Sequence, residues 1–299
     1  MLQPPGFSQH TITTSLGNLV YYTAAQEPWV RSPETTPQPT LVFLHGFGGG
    51  SSAYEWSKVY PAFALEYRIL APDLLGWGRS EHLRRDYQIE DYLVTIREFL
   101  DQTCGNEAVT VVASSLTAAF VVLLAIADPK RFKSLILSAP SGISDFGKNY
   151  KGSFFARMAS IPVVDRLLYG LAIATRSGIR GFLQRRQFAH ANRLSQEVID
   201  AYLASAQLPY AEYTALSFVR GDLCFDLADQ IAKLQVPTAI VWGKLAQLTN
   251  YKIGQRFAEM NPKAIRSLRI LEDVGLTPHL ELPGVAIAVI REFLKDLSH

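Results

Sequence analysis

Three short stretches of the sequence place glycine, serine and histidine directly after apolar runs. They are LVFLHGFGGG at residues 41–50, APDLLGWGRS at 71–80 and VVASSLTAA at 111–119. A serine hydroxyl becomes a nucleophile when an imidazole takes its proton and a carboxylate orients that imidazole. Backbone N–H groups on a glycine-rich turn can stabilise the oxyanion that forms next. These residue types indicate serine-based hydrolytic chemistry.

The sequence does not contain the residue spacings typical of a metal site, a disulfide framework or a phosphate-binding loop. The six histidines, at positions 10, 45, 82, 190, 279 and 299, are not spaced as metal ligands. The two cysteines, at 104 and 224, form neither a zinc motif nor a disulfide framework. The HGFGGGS stretch also lacks the Lys-Ser/Thr ending of a phosphate-binding loop. We therefore predict a protein without metal or cofactor.

Composition limits the class of protein. The chain has 299 residues, 48% of them hydrophobic and 19% charged, with a net charge of +2. This length supports one large core with an inserted subdomain, and the near-neutral charge argues against nucleic-acid binding. The N-terminus lacks the pattern of a secretory signal, and no apolar run reaches the ~18 residues of a membrane span. Sparse cysteine fits a reducing compartment, so we predict a cytoplasmic protein.

The elements that must position these residues follow from hydrophobic periodicity. Alternation around LGN at 16–18 predicts a β-hairpin. Apolar runs at 40–46, 67–73, 108–114, 134–140, 237–243 and 265–273 predict buried strands. Residues 89–103 and the C-terminal GVAIAVIREFLKDL have the spacing of amphipathic helices. Strands that alternate with helices predict a mostly parallel sheet covered on both faces.

One long region interrupts this alternation. Residues 144–235 contain helical patterns and no convincing strand, which predicts a helical lid inserted into a core formed by residues 1–143 and 236–299. Between residues 146 and 196 the sequence contains nine basic residues and a single acidic residue, Asp165. The nine are Lys148, Lys151, Arg157, Arg166, Arg176, Arg180, Arg185, Arg186 and Arg193. They form either a solvated face or a surface for an anionic membrane or an acidic, lipid-like ligand.

The three motifs, in this order, resemble those of the α/β-hydrolase superfamily, in its lidded esterase, lipase and epoxide-hydrolase-like branch. The resemblance covers roughly residues 10–297 and implies a sheet of about eight strands with helices on both faces. It implies that Ser115 occupies the nucleophile position of the family's G-x-S-x-G turn. The backbone N–H groups of Phe47 and Leu116 would then be the oxyanion donors.

Two positions of the expected triad are apolar. The family's acid follows a strand in a W-G-x-x-D pattern, and here VWGKLAQLT places Ala246 in that position. The family's histidine lies in a G-H-x-P-x-x-E-x-P pattern, and here GLTPHLELP places Leu276 in that position. The remaining landmarks of both patterns are intact. The resemblance therefore implies a divergent member with an incomplete triad.

Other residues could replace the missing acid and base, so several functions stay open. His279, three positions after Leu276, and His190 in the lid are alternative bases, while Asp145, Asp222 and Asp226 are alternative acids. A degenerate member would bind an apolar or lipid-like small molecule, or a protein partner, with peripheral membrane contact through its basic lid. The alternatives are an active serine hydrolase or lyase with a non-standard base, and a cofactor-free isomerase or oxygenase.

Overall fold

Eight strands form a single sheet in the computed structural model of the protein, which describes residues 3–30, 38–142 and 169–298. The strands are β1 (Phe7–Thr14), β2 (Gly17–Ala24), β3 (Thr40–Leu44), β4 (Arg68–Pro72), β5 (Val109–Ser114), β6 (Phe132–Ser138), β7 (Thr238–Gly243) and β8 (Ile265–Leu271). Their order across the sheet is β1-β2-β4-β3-β5-β6-β7-β8.

Strand direction follows from the connections. β1 and β2 form the predicted antiparallel hairpin, in which Thr14 pairs with Gly17, and β2 continues antiparallel to β4. From β4 to β8 every neighbouring pair is parallel. All residues of β3, β5 and β7 are buried, because helices cover both faces of the central sheet. The predicted sheet of about eight mostly parallel strands is confirmed.

Eight α-helices lie in the described chain. They are α1 (Ile89–Cys104), α2 (Ser115–Ala127), α3 (Arg176–Phe182), α4 (Gln196–Ala206), α5 (Ala211–Arg220), α6 (Tyr251–Met260), α7 (Pro278–Glu281) and α8 (Pro283–Asp296). A capping box between Gln88 and Asp91 starts α1, whose apolar side faces the core as its spacing predicts. The helix α2 is apolar on nearly all sides because it is buried in the core.

The chain between β6 and β7 is helical where the structure describes it. Residues 169–235, termed the β6–β7 segment, contain α3, α4 and α5 and two π-helical turns, Tyr169–Ile173 and Leu183–Gln187. Residues 144–168 of the predicted lid lie outside the described residues. The division of the chain into a core and a separate lid domain stays a prediction.

The β6–β7 segment packs directly on the loop that follows β3. A Cβ added to Gly50, whose φ is 99°, would lie 2.2 Å from the carbonyl oxygen of Tyr202 in α4. Ser205 of the same helix donates a hydrogen bond to the carbonyl of Ser51 at 3.2 Å. Only glycine allows this approach, so this contact fixes α4 above the carboxyl end of β3.

A buried aspartate organises the loop after β4. The Asp73 carboxylate accepts hydrogen bonds from the backbone N–H groups of Ala53 at 2.7 Å and Arg79 at 2.8 Å. Tyr22 of β2 donates to the same carboxylate at 3.2 Å. Asp73 thus holds loops together at the carboxyl edge of the sheet, the edge at which open parallel sheets bind ligands.

Candidate active site

Ser115 lies on the strained turn between β5 and α2. Its φ is 54°, which places a non-glycine residue in the left-handed region, and it is the first residue of α2. Such backbone strain costs of order 1–3 kcal/mol and is concentrated at functional sites. Ser115 is partly exposed, whereas Ser114 and Leu116 on either side of it are buried. The turn thus presents the Ser115 side chain at the edge of the sheet.

The loop after β3, residues 45–50, lies against this turn and is termed the oxyanion loop. A Cβ on Gly46 would lie 3.1 Å from Ser114 Oγ and 3.3 Å from Ser115 Cβ. The Thr117 hydroxyl, at a position where the family has glycine, donates to the His45 carbonyl at 2.6 Å. Threonine therefore ties the turn to the oxyanion loop and does not loosen it.

Two backbone donors near Ser115 have no acceptor. Neither the Phe47 nor the Leu116 N–H donates a hydrogen bond within the part of the chain that the structure describes. The ring of Phe47 packs edge-on against Trp77 and Tyr92, with centroids 5.1 and 4.9 Å apart. This packing fixes the loop backbone. Free N–H groups on a fixed backbone are the requirement for an oxyanion hole.

The structure places the two apolar residues that the sequence predicts at the triad positions. Leu276 follows β8, is buried, and donates its backbone N–H to the Gln187 carbonyl at 2.7 Å. Ala246 follows β7 and packs at the margin of the core. The Ser115 hydroxyl makes no hydrogen bond to any described residue. A base able to take its proton needs contact at about 2.6–3.2 Å or one bridging water.

His279 is in α7, completely buried. Its ring stacks on Trp56 with centroids 3.9 Å apart and an interplanar angle of 18°. Its Nε2 lies 3.7 Å from Glu55 Oε2, and neither ring nitrogen makes a hydrogen bond among the described residues. The structure thus brings the substitute base close to a carboxylate that the sequence analysis did not consider.

Glu55 is the buried charge of this region. Its Oε2 accepts the Gly46 N–H at 2.8 Å and its Oε1 accepts the Tyr202 hydroxyl at 2.8 Å. Burial by itself would raise the pKa of this carboxyl. Interaction with His279, then with His45 and with the Ser51 hydroxyl, outweighs burial and lowers the pKa of Glu55 to about 2. Glu55 is therefore an ionised carboxylate that joins the oxyanion loop, α4 and α7.

One feature of the sequence could have revealed Glu55. It is an acidic residue between Tyr54 and Trp56, in a stretch that follows a glycine-rich loop and contributes four buried residues to a 3₁₀ turn. A charge among residues that are all buried must have partners, because an unpaired buried charge is costly. Gly46 is nine residues away, but Tyr202 is 147 residues away and cannot be identified from the local pattern.

The other described candidates for the base and the acid have partners other than Ser115. His190 Nε2 lies 2.5 Å from Asp273 Oδ1. Asp222 pairs with Arg220 at 2.9 Å. Asp226 accepts the Ala228 N–H at 2.8 Å, and Asp145 lies outside the described residues. None of these contacts links a candidate base or acid to Ser115.

A cavity of about 470 Å³ lies between the oxyanion loop and the β6–β7 segment. Gly48 and Gly49 form one wall, and Phe182 and Phe218 contribute aromatic surface. The other lining residues are small or aliphatic, apart from two arginines described below. This size and lining suit an apolar small molecule.

The basic residues of the predicted lid differ in their pairing. Arg176 pairs with Asp200 at 2.5 Å, and Arg193 pairs with Asp273 and Glu281. The remaining described members have no acidic partner among the described residues; they are Arg180, Arg185 and Arg186. Lys148, Lys151, Arg157 and Arg166 lie outside the described residues.

The fold described above is that of a known protein family. A family profile described as alpha/beta hydrolase fold matches residues 39–272. The chain belongs to this family. The match spans all strands from β3 to β8 and the β6–β7 segment.

Individual relatives agree with this assignment. An uncharacterized protein of Mycobacterium tuberculosis is 32% identical over 125 residues; the match covers 42% of this chain and 34% of that protein, so the chain spans about a third of its length. A 2-hydroxymuconate semialdehyde hydrolase of a Pseudomonas species is 29% identical over 249 residues, covering 74% of this chain and 84% of that protein. A thermophilic esterase from Thermogutta terrifontis has the same fold, with a TM-score of 0.74, 19% identity, and coverage of 97% of this chain and 99% of that chain.

Neither a membrane-spanning helix nor a metal-binding cluster occurs in residues 3–30, 38–142 and 169–298. Each helix there is too short or too polar to cross a bilayer. No three histidine, cysteine, aspartate or glutamate side chains lie together as metal ligands in the same residues. The predicted cytoplasmic location stays a prediction.

Glu55→Gln tests the buried carboxylate. Because the folded-state pKa lies below the ordinary value of 4.5, the ionised group stabilises the fold fully above pH ~4.5, and this contribution is lost as pH falls toward 2. We expect Glu55→Gln to reduce the free energy of unfolding by about 2–3 kcal/mol at pH 7. The gap to the wild type should close between pH ~4.5 and 2 in urea titrations. The exposed Glu90→Gln serves as control, and a gap independent of pH would contradict the assignment.

Proposed function

We propose that the protein binds an apolar or lipid-like carbonyl compound in the cavity beside the oxyanion loop and does not turn it over at the rate of a complete triad enzyme. One combination of features supports the proposal. The Ser115 turn and the free donors Phe47 and Leu116 are intact, while Ala246 and Leu276 occupy the positions of the acid and the base.

The ligand class follows from the chemistry of the site. Two N–H donors without acceptors favour a ligand oxygen that carries partial negative charge, such as a carbonyl oxygen. The apolar cavity next to them favours a hydrocarbon portion. Two of the proteins similar to this chain are named as a hydrolase and an esterase, which agrees with a ligand of this type.

The expected rate follows from the missing proton transfer. A serine hydroxyl without a base is a poor nucleophile at neutral pH. The oxyanion hole and substrate binding alone give about 10³–10⁴-fold acceleration over water when triad members are removed. Slow acylation of Ser115 is thus compatible with the proposal, and rapid turnover is not.

A second candidate function is an active serine hydrolase with a non-standard base, and the Glu55–His279 pair favours it. The pair and the serine are both close to Gly46. A Cβ at Gly46 would be 3.3 Å from Ser115 Cβ and 3.5 Å from Glu55 Oε2. The buried ring of His279 also has both nitrogens without a hydrogen bond in the described chain. A bridging water would then be needed to carry the proton from Ser115.

Peripheral membrane contact is part of the same proposal. The β6–β7 segment carries Leu171, which is 71% exposed, together with Arg180, Arg185 and Arg186. An exposed apolar side chain and cations without an acidic partner among the described residues, carried on one helical segment, are the combination that binds anionic membrane surfaces.

Labelling by a fluorophosphonate tests the rate of acylation. We expect Ser115 to react about 10⁶-fold more slowly than the serine of a family member with a complete triad, because no base activates it. Ser115→Ala should abolish the residual labelling, measured by mass spectrometry, while the neighbouring Ser114→Ala should retain it. Labelling of the intact protein within seconds would refute the main proposal.

Hydrolysis of p-nitrophenyl butyrate tests the second candidate. If Glu55 and His279 act on Ser115, His279→Gln and Glu55→Gln should each lower kcat by about 10²-fold or more, the usual contribution of a general base, and alter its pH profile. His190→Gln, a histidine paired with Asp273, is the control. Thermal melts identify variants that fail to fold. Unchanged kcat in folded His279→Gln excludes the second candidate.

Co-sedimentation with vesicles tests membrane contact. We expect binding to phosphatidylglycerol vesicles at low salt, little binding to phosphatidylcholine, and release at about 0.5 M NaCl because the charges are screened. Leu171→Ser should weaken binding, and Leu65→Ser, an exposed leucine elsewhere, should not. Equal binding to both lipids would count against the membrane proposal.

A further inference from the structure

We infer that Arg185 and Arg186 form an anion site on the cavity, so that the preferred ligand is a single-chain amphiphile with a carboxylate or phosphate head. This inference rests on the proposed function, since it adds a charged head to the apolar ligand. It concerns the cavity bounded by Gly48, Gly49 and the β6–β7 segment.

Charge is distributed unevenly over the cavity wall. Its lining contains two cationic side chains, Arg185 and Arg186, and no acidic one. Small, aliphatic and aromatic side chains make up the rest of the wall. Both arginines are exposed, so beside a neutral apolar ligand only water would solvate their charge. A ligand with an anionic head would satisfy them, because guanidinium groups bind carboxylate and phosphate oxygens in paired hydrogen bonds.

The two arginines also lack an acidic partner among the residues that the structure describes. Arg185 donates to the Gly181 carbonyl at 3.1 Å, and Arg186 has no hydrogen bond or ion pair with a described residue. By contrast, Arg176 and Arg193 of the same segment each bind acidic side chains. Arg180, outside the cavity, binds only the Gln196 side chain. Both arginines that line the cavity therefore lack an acidic partner among the described residues, whereas Arg176 and Arg193 outside it have one.

The backbone holds the two arginines in place through a π-helical turn. The turn Leu183–Gln187 contains both, and single π turns of this kind occur frequently at functional sites. Its last residue is fixed from two sides. The Gln187 carbonyl accepts the Leu276 N–H at 2.7 Å, and the Gln187 side chain lies 3.4 Å from the Tyr202 hydroxyl. The arginines thus extend from a turn anchored to the active-site loops.

The positions of the two walls set the orientation of the ligand. The anionic head binds Arg185 and Arg186, and the hydrocarbon chain extends along Phe182 toward Gly48 and Gly49. These glycines directly follow Phe47, the oxyanion donor.

Calorimetric titration with four twelve-carbon amphiphiles, below their micelle concentrations, tests the inference. We expect dodecanoate and dodecyl phosphate to bind about tenfold or more tightly than dodecanol, the usual gain from charged hydrogen bonds, and dodecyltrimethylammonium to bind most weakly. In the double variant Arg185→Gln/Arg186→Gln, the preference for dodecanoate over dodecanol should disappear while dodecanol binding is retained. Arg256→Gln, an exposed arginine of α6 that does not line the cavity, is the matched control.

Each outcome decides a different point. Equal affinities for dodecanoate and dodecanol would overturn the anion site and leave apolar binding intact. A loss of preference in Arg256→Gln equal to that in the double variant would show a general effect of net charge and overturn the site as well. Absence of binding by all four amphiphiles would overturn the proposed function itself. The ratio of dodecanoate to dodecyl phosphate affinity identifies the preferred head group.

Discussion

The buried carboxylate of Glu55 is the interaction on which the arrangement of this site depends. An ionised group without water needs donors or an opposite charge around it, and here its partners come from three parts of the chain. The two hydrogen-bond donors are Gly46 of the oxyanion loop and Tyr202 of the β6–β7 segment, and the ring of His279 in α7 lies 3.7 Å away without a hydrogen bond. Displacing either donor would remove a hydrogen bond from this buried charge, so Glu55 holds these parts in register over the carboxyl end of the sheet.

Around that carboxylate, the proposed function assigns to the site an acyl-transfer geometry without the usual route for the proton. Ser115 retains a strained backbone, and a threonine hydroxyl secures the turn where the family uses glycine. Strain of order 1–3 kcal/mol is maintained while the positions of acid and base hold Ala246 and Leu276. A site with this combination suits recognition of a carbonyl group better than rapid hydrolysis, which is the basis of the proposed function.

Sequence periodicity predicted most of the fold, because the spacing of apolar residues along a strand or helix reflects which of its faces is buried. The hairpin at β1 and β2, the parallel strands and α1 lie where alternation and apolar runs predict them. The candidate site was harder to predict. The position of Ser115 follows from motif spacing, but Glu55 was missed, because its partners are brought close only by folding. His279, an alternative base in the sequence analysis, is completely buried against Trp56, a contact that the local pattern does not predict.

The sequence by itself therefore determined the sheet and the position of the serine turn, and it predicts the loss of both triad partners, since each rests on a few neighbouring residues. Only the tertiary structure decided which charges meet. It joined Glu55 to His279 and Tyr202, paired Arg176 and Arg193 with acids, and left Arg185 and Arg186 facing an apolar cavity. The reason is physical: electrostatic partners interact through a few ångströms of space, and residues more than a hundred positions apart reach that distance only when the chain has folded.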